Sequence, residues 1–180
     1  LKRISKFGLD GFYRGVTAEL IVKEMGKSNG LISKYDLQQY NSVYREPVIG
    51  SFRDIEIISM GPPSSGGLLL IHMLNALENF QIDTLGWNSA GYVHLLSEVA
   101  KHAYADRAQH LGDPDYWNNP RNMFLSKDYA KKRMSNISIK NIILSNKVLP
   151  GSFKDNESTE TTHYSVVDKD GNAVAITTTL

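Results

Sequence analysis

Apolar residues recur at helical spacing along much of the chain, which predicts a series of amphipathic helices. The first predicted helix covers residues 16–25, and Gly26 and Gly30 after it are typical stop signals. Ser33 and Asp36, in the sequence SKYD, resemble a capping box that opens a short helix through Gln39. Three further helices are expected after the breaker cluster GPPSSGG (residues 61–67, with Ser64 or Ser65 as the cap), from Ser89 through GYVHLLSEVAKHAYADRAQHL, and from Ser126.

Elsewhere the hydrophobic period changes to two, which predicts β-strands. Residues 42–60 favour a strand pair with Pro47 at an edge and Gly50-Ser51 as the turn. A second hairpin is expected to pair HYSVVD (163–168) with NAVAITTTL (172–180) across Asp170-Gly171. Between helices and hairpin, residues 138–160 are polar and irregular, and are expected to be exposed and mobile. The pattern therefore predicts an α+β fold.

Composition narrows the class of protein. The 180 residues carry 20 basic and 19 acidic side chains, a net charge of +1, so no basic field favours nucleic acid as a partner. The cluster KDYAKKR (127–133) is interpreted as a solvated helix face. No apolar run approaches 18 residues, so no membrane span is expected. The chain has no cysteine, which excludes disulfides and thiolate chemistry.

The two ends of the sequence lack ordinary boundary signals. LKRISKFGLDGFYRG begins inside a helical pattern without an initiator Met, and AVAITTTL stops inside a strand pattern. We therefore expect the chain to be a segment of a longer protein, with any leader peptide upstream.

Two motifs suggest binding chemistry, and both have a simpler structural interpretation. PPSSGG at a helix start is similar to a phosphate cradle, but Leu68 follows where a P-loop requires Lys, so a structural turn with close backbone approach is expected. His94, His102 and Asp106 share one helix face, yet a metal site needs three or four converging ligands and no HExxH pattern is present. We expect each histidine to make one hydrogen bond, and the charges of YADR and LGDPD to tie the helix end to its loop.

The junction between Glu160 and Thr161 suggests nucleophilic chemistry. A threonine hydroxyl is a weak nucleophile until a base takes its proton, and an N-terminal threonine can use its own α-amine as that base. Self-cleavage before the threonine would create such an N-terminus, and it would need a flexible loop ahead and a strand behind, as the pattern predicts here. Threonine is also an ordinary strand residue, so pattern alone leaves both interpretations open.

The sequence TTHYSVVDKDGNAVAITTTL resembles the start of the small subunit of γ-glutamyltranspeptidases. GLISKYDLQQY, PPSSGG with LNALENF, and AYADR with LGDPD match the same family in order and spacing. The resemblance implies part of a four-layer αββα sandwich of the N-terminal nucleophile hydrolases, truncated at both ends. Residues 1–160 would then be the C-terminal part of the large subunit, and residues 161–180 the first hairpin of the small subunit.

The resemblance also implies the site residues and the reaction. Thr161 would be the nucleophile after cleavage of the Glu160–Thr161 bond, with Thr162 as the competing candidate, and Thr179 would hydrogen-bond the nucleophile. Thr178 occupies a place that the family often gives to an aromatic residue. The reaction would be transfer of a γ-glutamyl group from glutathione or a related amide to water or an amino acid, without metal or other cofactor.

Further expectations follow from the resemblance. The arginine that binds the substrate carboxylate and the oxyanion-hole residues would lie outside residues 1–180, so this piece alone is expected to be inactive. It should pair with the remainder of both subunits as a heterodimer, self-associate through open strand edges when alone, and be periplasmic or secreted. The alternatives are a γ-glutamyl-polymer depolymerase or acylase of the same superfamily, and a non-catalytic scaffold domain in which TTHYS is only a strand.

Overall fold

The computed structural model describes residues 1–151, 162–167 and 173–178, with side chains for residues 1–151. The chain divides into two compact units, one covering residues 1–44 and the other beginning at Arg45. Helices and antiparallel strands are both present, which confirms the predicted mixture of α and β structure.

The first unit is helical. It contains α1 (Lys2–Phe7), a 3₁₀ turn (Gly8–Gly11), α2 (Gly15–Lys27) and α3 (Lys34–Gln39). The predicted capping box is present, because Ser33 Oγ accepts from the Asp36 N–H and the Ser33 N–H donates to Asp36 Oδ2. Tyr13 and Tyr40 stack with ring centroids 5.1 Å apart. Local sequence signals therefore predicted this unit well.

The second unit begins with a hairpin whose turn differs from the prediction. β1 (Val48–Phe52) pairs antiparallel with β2 (Ile55–Ser59), and Phe52 lies opposite Ile55. The turn is at Arg53-Asp54, with Arg53 at φ 51°, and the predicted turn at Gly50-Ser51 is wrong. Gly50 lies inside β1 because α4 (Gly66–Leu77) packs on this strand; a Cβ at Gly50 would stand 2.5 Å from Ile71 Cγ2. The glycine permits close packing rather than a turn.

Three helices follow α4 in the second unit. They are α5 (Ala90–His110), α6 (Arg121–Leu125) and α7 (Lys127–Arg133). Ser89 and Ser126 cap α5 and α7 as predicted, each accepting a backbone N–H three residues ahead. The five-residue helix α6 was not predicted, because it is too short to show a period. Short 3₁₀ turns cover Ile82–Thr84 and Ser145–Lys147.

The core is built around α4, which is apolar around most of its circumference. One side packs with α5 and α7 through Ala76, Leu95, Val99, Ala130 and Met134. The other side packs with β1, α5 and α6 through Val48, Leu68, Ile71, Ala103 and Phe124. Helix α4 therefore joins the hairpin to the helices that surround the candidate site.

The last described elements form a separate two-stranded sheet. β3 (Thr162–Val167) pairs antiparallel with β4 (Ala173–Thr178), which confirms the predicted hairpin. The register aligns Thr162 with Thr178 and Val167 with Ala173. Among the described residues, no helix combines the length and the apolar character that a membrane crossing requires.

Candidate functional site

The predicted processing and nucleophile residues, Glu160, Thr161 and Thr179, lie outside the described residues. Their described neighbours define the hairpin end. Thr162 follows Thr161 in the chain, Thr178 precedes Thr179, and the two are directly paired across the sheet. The structure thus brings together the strand ends next to the two predicted site residues.

The segment that leads toward the hairpin, residues 138–151, is attached along α5. His94 Nε2 donates to the carbonyl of Ser138 at 2.9 Å, and Lys101 Nζ donates to the carbonyl of Ile143. Further along α5, His110 Nε2 donates to the carbonyl of Gly151 at 2.7 Å. The order of these contacts shows that the segment runs in the same direction as the helix. The segment is mainly exposed, as predicted.

Gly151 is bound at both of its backbone polar groups. Its N–H donates to Asp106 Oδ1 at 2.7 Å, while its carbonyl accepts from His110. Arg133 Nη2 donates to the carbonyl of Leu149 at 2.6 Å, two residues earlier. A Cβ at residue 151 would overlap Tyr129 Oη, so only glycine allows this approach. We call Asp106, His110 and Arg133 the Gly151 clamp.

The centre of the clamp is the carboxylate of Asp106, which is fully buried. Besides the Gly151 N–H, it accepts from Tyr129 Oη at 3.0 Å and from Arg133 Nε at 2.9 Å to each oxygen. Burial alone would raise the pKa of Asp106, but His72, Gly151 and Arg133 around the carboxylate lower it below its ordinary value. Burial, and then the neighbouring Asp106 charge, raise the pKa of Tyr129, so its hydroxyl stays a donor. Asp106 is therefore an ionised, fully occupied acceptor.

The two histidines considered as metal ligands each make one hydrogen bond, as predicted. His94 contacts Ser138, and the buried His102 donates from Nδ1 to the carbonyl of Glu98 at 2.9 Å. Burial lowers the pKa of His102, so the ring is a neutral structural donor at physiological pH. Within the described part of the chain, no three His, Cys, Asp or Glu side chains form a possible metal site.

The GPPSSGG segment acts as a tight structural connection. Gly67 lies so close to the carbonyl of Met60 that a Cβ would overlap it, in agreement with the predicted close backbone approach. Arg107 Nε donates to Ser65 Oγ at 2.8 Å, which ties the C-terminal part of α5 to the start of α4. Ser64 Oγ accepts from the Gly66 N–H at 3.3 Å. The hydroxyls of the motif therefore serve contacts within the fold.

A surface cleft of about 470 Å³ lies near the LGDPD loop. Two arginines line it, and both already have protein partners. Arg45 donates two hydrogen bonds to the Asp115 carboxylate, at 2.8 and 2.6 Å, and Arg121 approaches the carbonyls of Glu46 and Pro47. The sequence suggested that the charges of LGDPD tie the adjacent helix end to its loop. For Asp115 this is wrong, because its carboxylate binds Arg45, 70 positions away. The cleft is a structural feature of this surface.

Sequence reasoning missed the clamp because it interpreted KDYAKKR as a solvated face. Tyr129 and Arg133 are one turn apart and point inward to Asp106, so that interpretation is wrong for these two residues. A signal was present in α5. Asp106 continues the apolar stripe of Val99 and Ala103, and a charged residue on a buried stripe requires partners.

Known proteins match the whole chain. The family model described as gamma-glutamyltranspeptidase matches residues 1–180. A glutathione hydrolase proenzyme of Escherichia coli strain K12 is 47% identical over 180 residues, covering 100% of this chain and 31% of that protein. An acylase ACY 1 proenzyme of Pseudomonas sp. strain SE83 is 38% identical, covering 100% of this chain and 32% of that protein. The crystal structure of Helicobacter pylori gamma-glutamyltranspeptidase superposes with a TM-score of 0.72 at 41% identity, covering 88% of this chain and 46% of that one.

These matches agree in sequence and in structure. The chain belongs to the gamma-glutamyltranspeptidase family, a family of γ-glutamyl transferases and hydrolases. It spans about a third of the length of the curated relatives, 31% of the Escherichia coli protein.

Proposed function

We propose that the protein is a proenzyme that cuts itself between Glu160 and Thr161 and then uses Thr161 as an N-terminal nucleophile in γ-glutamyl transfer. The pairing of Thr162 with Thr178 carries this proposal. Continuing the register by one pair would set Thr161 opposite Thr179, and directly opposed residues have Cβ atoms about 4.5–5.5 Å apart. Two hydroxyls at that separation can hydrogen-bond, which is the role proposed for Thr179.

The first reaction proposed is self-cleavage. Thr161 Oγ attacks the carbonyl carbon of Glu160, the C–N bond breaks, and the nitrogen of Thr161 leaves as an amine after taking a proton. Water then hydrolyses the resulting ester, which frees the Thr161 hydroxyl and leaves a carboxylate on Glu160. The product has an α-amine with an ordinary pKa of about 8, which can act as a base near neutral pH. An amide nitrogen could not serve in this way.

The second reaction is transfer of the γ-glutamyl group. Thr161 Oγ attacks the γ-carbonyl of glutathione or a related amide, passing its proton through the α-amine to the leaving amine. Water or the amine of an amino acid then attacks the acyl-enzyme and restores the hydroxyl. The covalent intermediate divides one difficult amide cleavage into two easier steps. The scheme uses side-chain and backbone groups only, and needs no metal or organic cofactor.

The substrate class is inferred from the relatives. The Escherichia coli and Pseudomonas sp. strain A14 relatives, 47% and 43% identical, are named glutathione hydrolase proenzymes, which favours glutathione. The 38% identity to an acylase proenzyme supports acyl-amide hydrolysis as the second candidate, and a γ-glutamyl-polymer depolymerase is a third. Turnover of glutathione, poly-γ-glutamate and an N-acyl amide by the full-length protein separates the three.

The proposal extends to the architecture of the complete protein. Residues 1–160 would end the large subunit and residues 161–180 would begin the small subunit, in a heterodimer with the αββα sandwich. We propose a periplasmic or secreted location on the same family grounds. A polypeptide limited to residues 1–180 should lack turnover and should self-associate, because its hairpins leave unpaired strand edges. Sedimentation of this polypeptide as a monomer at high concentration would contradict the second expectation.

Intact mass spectrometry of the full-length protein after purification tests the proposed function. We expect two chains, the smaller one beginning at Thr161, and a single uncut chain for Thr161→Ala. A non-catalytic scaffold domain would remain one chain in both cases. N-terminal sequencing that began at Thr162 or His163 would move the nucleophile, and cleavage of Thr161→Ala would disprove the mechanism.

A further inference from the structure

We infer that the Gly151 clamp positions the segment before the scissile bond for self-cleavage, with Asp106 as the central positioning residue. This inference rests on the proposed function, because it concerns the rate at which the Glu160–Thr161 bond is cut. Nine residues, 152–160, connect Gly151 to Thr161. The clamp is thus the last described attachment before the predicted processing site.

The Gly151 clamp fixes the direction of the backbone at Gly151 as well as its position. Two helices contribute to it, since Asp106 and His110 belong to α5 and Arg133 belongs to α7. Gly151 is bound through its N–H and its carbonyl, and Leu149 is bound through its carbonyl. Contacts to the N–H and to the carbonyl of one residue hold the two peptide units that meet at Gly151 and restrict rotation as well as translation. The clamp therefore fixes the position and the direction of the backbone at Gly151.

The carboxylate is well suited to this task. Asp106 is buried and ionised, and charge-assisted hydrogen bonds to Arg133 fix the side chain before it accepts the Gly151 N–H. The same Arg133 binds Leu149, so one guanidinium couples the acceptor to the segment it holds. Tyr129 closes the space that a side chain at residue 151 would need.

A tether argument gives the size of the effect when the whole clamp releases the segment. If Gly151 and Leu149 were released, the last described side-chain attachment before the scissile bond would be the Lys101 contact at Ile143. The number of residues between attachment and bond would rise from nine to 17 (144–160). Effective concentration falls roughly as the −3/2 power of length, which corresponds to about a threefold loss of cleavage rate. Loss of direction slows cleavage further, because a misplacement of the reacting groups by about 1 Å can lower a reaction rate by up to about 10²-fold.

The experiment measures the first-order rate of cleavage of freshly purified full-length precursor. Asp106→Asn removes the ionised acceptor at nearly constant volume, and Asp128→Asn makes the same change at an exposed position of α7. Asp106→Asn leaves the contacts of His110 and Arg133 to the segment in place, so we expect it to cleave about two- to threefold more slowly, and Asp128→Asn to cleave at the wild-type rate. Cleavage of soluble Asp106→Asn at the wild-type rate would overturn the inference while leaving Thr161 as the nucleophile.

A second pair of variants tests the same site without removing the charge. Gly151→Ala should slow cleavage, because the new methyl group overlaps Tyr129 Oη. Tyr129→Phe removes that oxygen, so the double variant Gly151→Ala/Tyr129→Phe should recover part of the rate. This pair decides the question if Asp106→Asn is insoluble. Absence of slowing in Gly151→Ala, or slowing without recovery in the double variant, would contradict the inference.

Turnover after cleavage separates positioning from general damage to the fold. Once a slow variant has been cut by long incubation, its kcat and KM per cleaved molecule should equal those of the wild type, because the clamp acts before the bond breaks. An equal fall in cleavage rate and kcat would show a purely structural role and overturn the inference. If the wild-type precursor itself never cleaves, the proposed function fails instead, so the two failures are distinct.

Discussion

Gly151 donates its backbone N–H to the buried carboxylate of Asp106, although the two residues are 45 positions apart in the chain. The carbonyl of the same glycine accepts from His110, one helical turn beyond Asp106. Both backbone polar groups of Gly151 are thus satisfied by side chains of α5. The contact attaches residue 151, at the described end of the irregular segment, to α5, which packs against α4 in the core of the second unit.

The assignment of the nucleophile can be tested by substituting each of the two adjacent threonines in turn. Thr161→Ser keeps a hydroxyl and should still cleave, but more slowly, because serine lacks the methyl group that restricts the rotamer of threonine. Thr162→Ala should cleave at close to the wild-type rate, since consecutive residues of a strand face opposite sides. Intact mass measured over a time course gives both rates. The opposite pattern, with Thr162→Ala uncut, would assign the nucleophile to Thr162.

Thr179 should matter for cleavage and for turnover. Thr179→Ala removes the hydroxyl proposed to position Thr161, and we expect losses of about 10-fold or more in the rate of each step. Thr177→Ala on the same strand is the matched control and should have a smaller effect. Kinetics with a chromogenic γ-glutamyl amide, normalised to the cleaved fraction, give the measurement. Equal effects of the two substitutions would remove the special role of Thr179.

Gly50 should be intolerant of a side chain. Gly50→Ala places a Cβ 2.5 Å from Ile71 Cγ2, so β1 or α4 must shift, and we expect a loss of about 1–3 kcal/mol in the free energy of unfolding. Gly26→Ala is the control, because no atom lies within 4 Å of its Cβ and alanine favours the helix α2, with a gain of up to about 1 kcal/mol. Thermal unfolding of Thr161→Ala precursors that carry each glycine substitution tests the expected loss of stability for Gly50→Ala and the expected gain for Gly26→Ala.

Acidification should destabilise the protein in part through His102. Burial lowers the pKa of His102 in the folded state below the ordinary value of 6.5, so the unfolded state binds a proton first as the pH falls. The contribution of His102 is full above pH 6.5 and decreases below it, by about 1.4 kcal/mol per pH unit at most. The carboxylate of Asp106, with its lowered pKa, stays ionised in this range.

The measurement for His102 compares unfolding between pH 7.5 and 5.5 in Thr161→Ala precursors with and without His102→Gln. We expect the free energy of unfolding to fall less steeply with acidification in the His102→Gln protein. Equal slopes would show that His102 takes up its proton alike in the folded and unfolded states.

Much of the secondary structure could be predicted because its signals are local. The capping box of Ser33 and Asp36, and the caps of Ser89 and Ser126, involve residues three positions apart, so the sequence contains both partners of each hydrogen bond. Family membership was equally accessible, since it depends on ordered motifs rather than on contacts.

The position of the first turn was not accessible from sequence. Gly50-Ser51 has turn chemistry, but the packing of α4 against β1 requires a small residue at position 50, and the turn moves to Arg53-Asp54. The sequence indicates that position 50 requires a glycine. Whether Gly50 forms a turn or a close packing contact is decided only by α4, which brings Ile71, 21 residues later, against it.

The same division applies to the candidate site. By itself the sequence predicted the longer helices and the β3–β4 hairpin, because periods, caps and motifs act over a few residues. Tertiary structure decided that Tyr129 and Arg133 turn inward, that Asp106 is their acceptor, and that Gly151 is bound. The physical reason is burial. A charge on an apolar stripe needs partners, and which partners it finds depends on segments that are distant in sequence and adjacent only after folding.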